Sequence, residues 1–430
     1  MRILLVSILF ATLVLAAGCG GNSISSSTSA SSSGSSSGSN VLAIAVNGGP
    51  TANYPNGAFA SATICAPGST TNCVTVNGLL VDTGSTGLRV LQSALGSLSL
   101  PAVDASSGSA AYNCADFVDG AYLWGPVEQA TVTLGGETAA NLPIQVVSSS
   151  DTGIPSSCSN GGIDANTVAN LGANGLLGVG SEPTDCFFED IGDACSPGSG
   201  QSSPPSGLYY TCSGDSCSPA YISEADEVSN PAVFFSSDNN GVIVELPSVS
   251  GSAATVTGSL IFGIGTKSNN QLPSSATVFT LTCDLFTTEF ENIDYGVNSG
   301  CAGYGSFIDS GSSALYFPDP GKVISTCPAS TPAGNLSSWY CPTSTKSFSA
   351  INFGANGTSL ATSFSVANAE TLFTSTSTHA EYALGQLAGL NPTGYGFDWG
   401  LPFFYGNKVY VSIAGQKMPS DAPAAPWWAY

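Results

Sequence analysis

The chain has 430 residues, 42% hydrophobic and 8% charged, a length that suits two lobes and a composition that excludes a disordered chain. Seven Lys and Arg against 29 Asp and Glu give a net charge of −22, which excludes a nucleic-acid partner for want of a basic patch and sets the molecule against anionic membrane surfaces. With so few cations there are few ion pairs to lose when carboxylates protonate, so tolerance of acid is expected.

The first segment reads as an export signal. Met1 and Arg2 precede the apolar run ILLVSILFATLVLAA, and LAAGC at 15–19 resembles a bacterial lipobox, although Leu15 stands one place further from the cysteine than is usual. Residues 1–18 are therefore expected to be a lipoprotein signal peptide and Cys19 the lipidated first residue. Residues 19–40 continue as a Ser-rich tether too polar to bury a core. The G-x-S-x-G match at 34–38 lies inside this tether, with no strand before it, and is a product of composition. Gly20 carries no inner-membrane retention signal, so an outer-membrane lipoprotein is expected, held by its lipid alone because no other apolar run is long enough to span a bilayer.

After residue 40 the pattern is β. Residues 41–46, 58–64, 73–81, 130–134 and 144–147 are apolar or alternating runs between Gly, Pro and Asn. Residues 232–246, AVFFSSDNNGVIVEL, predict two strands around an Asn-Gly turn. SLIFGIG, ATVFTLTC, ALYF and KVYVSI follow as strands, and 319–325 and 383–390 are the better helix candidates. Residues 183–230, rich in Pro, Ser and Cys, predict an irregular excursion pinned by disulfides. Setting Cys19 aside leaves twelve cysteines, an even number that predicts six disulfides in an exported protein. Pairing of neighbours would close short loops at Cys65–Cys73, Cys186–Cys195, Cys212–Cys217 and Cys327–Cys341, though spacing does not fix connectivity. With no C-x-x-C and a single histidine, His379, no metal site or cofactor is expected.

The chemistry rests on two stretches. Residues 81–90 read VDTGSTGLRV and residues 306–318 read SFIDSGSSALYFP. Each has an apolar pair, Asp, a hydroxyl residue, Gly, Ser and then an apolar strand, and the two aspartates are 227 residues apart. A third Asp-Thr-Gly, at Asp151, lacks the preceding apolar pair and reads as a plain turn. NGLLGVG at 174–180 follows the first loop, and Trp399-Gly400 in FDWGLPFF follows the second by a similar interval.

In these motifs and their order, residues 41–430 resemble the pepsin-like aspartic proteases. With the lipobox, tether and cysteines, the chain also resembles an uncharacterised family of bacterial lipoproteins built on that fold. The resemblance implies an all-β, bilobal double barrel with a cleft between lobes at 41–250 and 251–430. It implies that Asp82 and Asp309 share one proton and hydrolyse peptide bonds through an activated water. Thr83 and Ser310 would tie the loops together across the lobes, Gly84 and Gly311 allow the tight turn, and Ser85 and Ser312 donate to the outer carboxylate oxygens. Leu176, Leu177, Gly178, Trp399 and Gly400 would brace the loops from behind. The expected partner is a polypeptide substrate, bound by a monomer.

Three departures stand out. No Tyr-Gly turn occurs in CADFVDGAYLWG at 114–125, where such proteases carry a flap; Phe117 or Tyr122 either substitutes or packs. Arg89 replaces the expected Trp after the first loop, either as a surface residue or as a cation that depresses the pKa of the pair. Asp398 stands where an apolar brace residue is usual. Residues 3–88 hold no Lys or Arg, which argues against a basic pro-segment plugging an acidic cleft. The alternative is a non-catalytic peptide- or glycan-binding lipoprotein on the same fold. A serine hydrolase is disfavoured because His379 has no recognisable partner.

Overall fold

A computed structural model describes residues 40–430 apart from 152, 190, 297–304, 332–333 and 392–395. The expected signal peptide, Cys19 and nearly all of the tether lie outside the described residues. Among those described, no helix is long and apolar enough to cross a membrane.

The fold is all-β with short helices. Alternation places it: in Val41–Gly48 the side chains of Leu42, Ile44 and Val46 turn inward at every second position. This strand pairs antiparallel with Tyr54–Cys65 on one side and Val256–Phe262 on the other. Tyr54–Cys65 in turn pairs with Cys73–Asp82, and a Cys65–Cys73 disulfide closes their connection. Beyond Val256–Phe262 the same sheet continues through Gly241–Glu245, Lys408–Ser412, Trp427–Ala429 and Val278–Thr280. Strands from residues 41–82, 241–280 and 408–429 thus share one sheet. Two further four-stranded sheets carry the second half, one of them built from Phe307–Ile308, Asp398–Trp399, Leu315–Phe317 and Ala388–Leu390. Behind it lies an aromatic cluster in which Phe397 stacks on Trp399 at 4.9 Å and on Phe317 at 5.0 Å between ring centroids.

Local expectations failed in four places. Residues 319–325 form a turn rather than a helix; the Asp319 carboxylate accepts the N–H groups of Val323 and Ile324 and holds the chain out of helical register. Residues 383–390 are two short strands, Ala383–Leu384 and Ala388–Leu390, whose backbone is taken by partners distant in sequence. The first half of the expected 232–246 hairpin is the 3₁₀ turn Pro231–Phe234: Pro231 fits its first turn and the Asn230 side chain accepts the Ala232 N–H. Residues 183–230 are pinned by Cys186–Cys195 and Cys212–Cys217 as expected, yet Tyr209–Ser213 and Ser216–Pro219 form a hairpin that extends the large sheet beside Ala111–Asp116. Cys327–Cys341 also pairs as neighbours, whereas Cys114 reaches across 44 residues to Cys158. Cys283 is disulfide-bonded too, and Cys301 lies outside the described residues.

Candidate active site

Each Asp loop leaves the end of a strand and is held by the same local topology. Cys73–Asp82 runs parallel to Gly175–Val179, with Asp82 opposite Gly178, and Gly175–Val179 runs antiparallel to Thr86–Leu91. In the second half Phe307–Ile308 runs parallel to Asp398–Trp399, with Ile308 opposite Trp399, and Asp398–Trp399 runs antiparallel to Leu315–Phe317. The backbone bonds repeat as well: the Gly180 N–H donates to Ser85 O at 2.8 Å, and the Leu401 N–H donates to Ser312 O at 2.8 Å. The brace residues Leu176, Leu177, Gly178, Trp399 and Gly400 therefore stand directly behind the loops. At Gly400 a side chain is excluded, because a Cβ there would lie 2.0 Å from the Ala314 carbonyl oxygen.

The two loops grip each other reciprocally. The Thr83 N–H donates to Ser310 Oγ at 3.1 Å, and the Ser310 N–H donates to Thr83 Oγ1 at 2.9 Å. Each hydroxyl passes its own hydrogen across: Thr83 Oγ1 donates to Ile308 O at 3.1 Å, and Ser310 Oγ donates to Val81 O at 2.8 Å. All of these groups are buried, so deleting one hydroxyl strands its partners without water. Thr83→Val and Ser310→Ala are each expected to lower the unfolding free energy by about 1–3 kcal/mol, and the double variant by less than the sum, as read by urea denaturation.

This crossing brings the carboxyl groups together. Asp82 Oδ1 accepts the Gly84 N–H at 2.9 Å and Oδ2 accepts a short hydrogen bond from Ser85 Oγ. Asp309 Oδ1 accepts the Gly311 N–H at 2.7 Å and Oδ2 accepts from Ser312 Oγ at 2.8 Å. A side-chain hydrogen bond links Asp82 to Asp309. Gly84 packs so close that a Cβ on it would sit 2.6 Å from Asp309 Cγ, which explains its glycine. Burial first, then the Asp309 charge, pushes the Asp82 carboxyl well above the usual carboxylate range. Burial also raises Asp309, but there the hydrogen bond from Asp82 acts downward. Both residues have 0% exposure. Asp398 is buried equally, with Oδ2 2.6 Å from Ser312 Oγ.

The other expected residues fall elsewhere. Phe117 packs into a cluster with Ala115, Ala121 and Leu123, and Tyr122 into one with Cys114, Trp124 and Tyr210, so both are packed aromatics. Asp151 is a turn residue whose Oδ1 accepts from Ser148 Oγ at 2.9 Å. His379 is exposed at the end of the helix Ala369–His379. Both expectations for Arg89 need correction: it is fully buried rather than on the surface, and its charge is taken by Asp185 at 2.9 Å rather than by the pair. Gln145 Oε1 at 2.8 Å and Asn113 Oδ1 accept from Nη1, and Tyr209 closes the network by donating to Asp185. Arg89→Met is expected to cost about 3–5 kcal/mol in chemical denaturation, because it leaves the Asp185 charge buried and unpaired.

Sequence reasoning missed the carbonyls of Val81 and Ile308, since a backbone acceptor leaves no mark on residue type. It also missed the tie between Asp398 and Ser312, although Asp398 was visible as a polar residue in an apolar brace. Among the described residues one group has metal-ligand spacing, Cys186, Cys195 and Glu227, but its cysteines are joined as a disulfide and offer no thiolate.

Residues 36–430 match a family model described as "Protein of unknown function (DUF3443)". No curated protein sequence matches the chain. A solved structure similar to it is the crystal structure of aspartic proteinase from Irpex lacteus, with 15% identity over 86% of this chain and 93% of that one, at a TM-score of 0.43.

Proposed function

We propose that this chain, which belongs to the DUF3443 family, is an aspartic endopeptidase on a pepsin-like, two-lobed scaffold. The observation that carries the reading is the hydrogen-bonded meeting of Asp82 and Asp309, two buried carboxyl groups held together by loops that exchange hydrogen bonds. Such a pair resists double ionisation and keeps one proton. The ionised Asp309 takes a proton from water as the water oxygen bonds to the peptide carbonyl carbon, and Asp82 gives its proton to the carbonyl oxygen. The tetrahedral diol then collapses: Asp309 gives the proton it took to the leaving nitrogen, the C–N bond breaks, and a diol hydroxyl returns a proton to Asp82 as the carbonyl re-forms. The substrate is an extended polypeptide with apolar residues at the scissile bond, lying between lobes 41–250 and 251–430, partly as an added strand. The enzyme works as a cofactor-free monomer, exported through a signal peptide at 1–18 and held at the outer membrane by lipid on Cys19 and the tether 19–40.

Because neither carboxyl group is exposed, hydrolysis requires the site to open to water and peptide. That closure favours a second reading, a non-catalytic binder of peptide or glycan on the same scaffold. A cleavage profile on a diverse peptide mixture at acid pH, wild type against Asp309→Asn, separates the two. Cleavage by the wild type that vanishes in the variant supports the enzyme. A wild type that cleaves nothing, and binds a statine-type transition-state mimic no better than the variant does, supports the binder.

A further inference from the structure

Ser312 has one hydroxyl hydrogen and two carboxyl neighbours. Its Oγ is 2.8 Å from Asp309 Oδ2 and 2.6 Å from Asp398 Oδ2, and a serine hydroxyl donates once and otherwise accepts. One of the two contacts must therefore be a donation to Ser312, and only a protonated carboxyl can make it. Asp309 Oδ1 also accepts the Gly311 N–H, whereas Asp398 Oδ1 accepts nothing, so Asp309 is the better-held anion and the donor is Asp398. The hydrogens then run in one direction: Asp398 Oδ2–H to Ser312 Oγ, and Ser312 Oγ–H to Asp309 Oδ2.

The surroundings agree. The charged neighbours acting on Asp398 are Asp309 and Asp82, both acidic, and Tyr316 on the adjacent strand shares its field. Asp398 Oδ1 is buried with no hydrogen-bond partner, which a neutral acid tolerates far better than a carboxylate does. Arg89, the cation that follows the first Asp loop, is committed to Asp185.

We propose that Asp398 is a positioning residue, a permanently protonated acid that acts on Asp309 through Ser312 and fixes Asp309 as the member of the pair that ionises. A hydroxyl that accepts a hydrogen bond donates a stronger one, so the chain stabilises the Asp309 anion without adding charge beside it. The inference rests on the proteolytic reading for its kinetic consequence but not for its protonation state.

Two variants and two measurements test it. Asp398→Leu removes the donor and is expected to move the acid limb of the kcat/KM–pH profile upward by about 0.5–1 pH unit. Asp398→Asn keeps an N–H donor toward Ser312 and is expected to hold the limb near its wild-type position. Were Asp398 ionised instead, removing its charge would move the limb downward in both variants, and that result, or an unmoved limb in Asp398→Leu, overturns the proposal. Infrared difference spectra, wild type minus Asp398→Asn near neutral pH, give the second measurement. A protonated-carboxyl stretch belonging to Asp398 is expected, and a carboxylate band in its place overturns the proposal even if the wild type cleaves nothing. A wild type without activity thus counts against the proposed function, while the spectrum still decides the state of Asp398.

Discussion

Asp309→Asn and Asp82→Asn are each expected to cut peptide cleavage at acid pH by at least about 10³-fold, because each removes one member of a proton-sharing pair and general acid–base groups contribute about 10²–10⁴-fold apiece. Asn is near-isosteric with Asp and keeps a polar group toward Ser85 or Ser312, so the fold is expected to survive, with an unchanged circular-dichroism spectrum. The wild-type profile has a definite sign. Burial raises Asp309 above the ordinary value of 3.8 and Asp82 well above it, so the one-proton state begins above that value and persists beyond the usual carboxylate range. Activity is expected to rise on an acid limb lying above 3.8 and to fall on a second limb at higher pH. Full cleavage by either Asn variant would show that the pair is not the catalyst.

Stability is expected to fall steeply as pH rises. Burial pushes Asp119 up to about 7, Glu227 to about 10 and Glu182 to about 11, and Asp82 and Asp398 lie well above the usual range. In each, the folded state binds a proton that the unfolded chain releases near 3.8 for Asp or 4.5 for Glu. The stabilisation is therefore fully present below those values and is lost as pH climbs through each folded value. The loss proceeds at up to about 1.4 kcal/mol per pH unit for each proton held. Asp193 and Asp238 are shifted down and act in the opposite sense, but the raised groups outnumber them. Repulsion within a chain of net charge −22 grows in the same direction. A melting temperature that is highest in mild acid and drops toward alkaline pH is expected. Glu227→Gln should raise it at alkaline pH while changing it little in acid. A flat profile from acid to alkaline pH, or a Glu227→Gln variant no more stable than wild type at alkaline pH, would contradict this linkage.

Much of the candidate site was legible because its residue types repeat. Two Asp-hydroxyl-Gly-Ser loops, each entering from an apolar pair and followed by an apolar-Gly segment, are a local pattern, and the β strands around them alternate visibly. What stayed hidden depends on partners remote in sequence. Nothing near Arg89 announces Asp185, 96 residues away, so a lone cation read as surface or as a pKa modifier when it is the centre of a buried network. Asp398 was visible as an anomaly, but its reason is a hydroxyl 86 residues earlier. The helix Ala369–His379 carries an Asn368 cap and Glu370 in its first turn, yet its Thr-rich sequence obscured them. ALGQLAGL has helical spacing, and pairing with Ser252–Ala253 and Leu315–Phe317 overrode it.

The order of strands in the large sheet bears on how the molecule is made. Trp427–Ala429 lies between Lys408–Ser412 and Val278–Thr280 and is the latter's bonded neighbour in that sheet. A chain whose residues 427–429 are not yet in place lacks this wedge, and Val278–Thr280 then has no strand of the large sheet to pair with. Assembly of this edge of the sheet must wait for residues 427–429, and their removal should be felt as a failure to mature rather than as a trimmed edge.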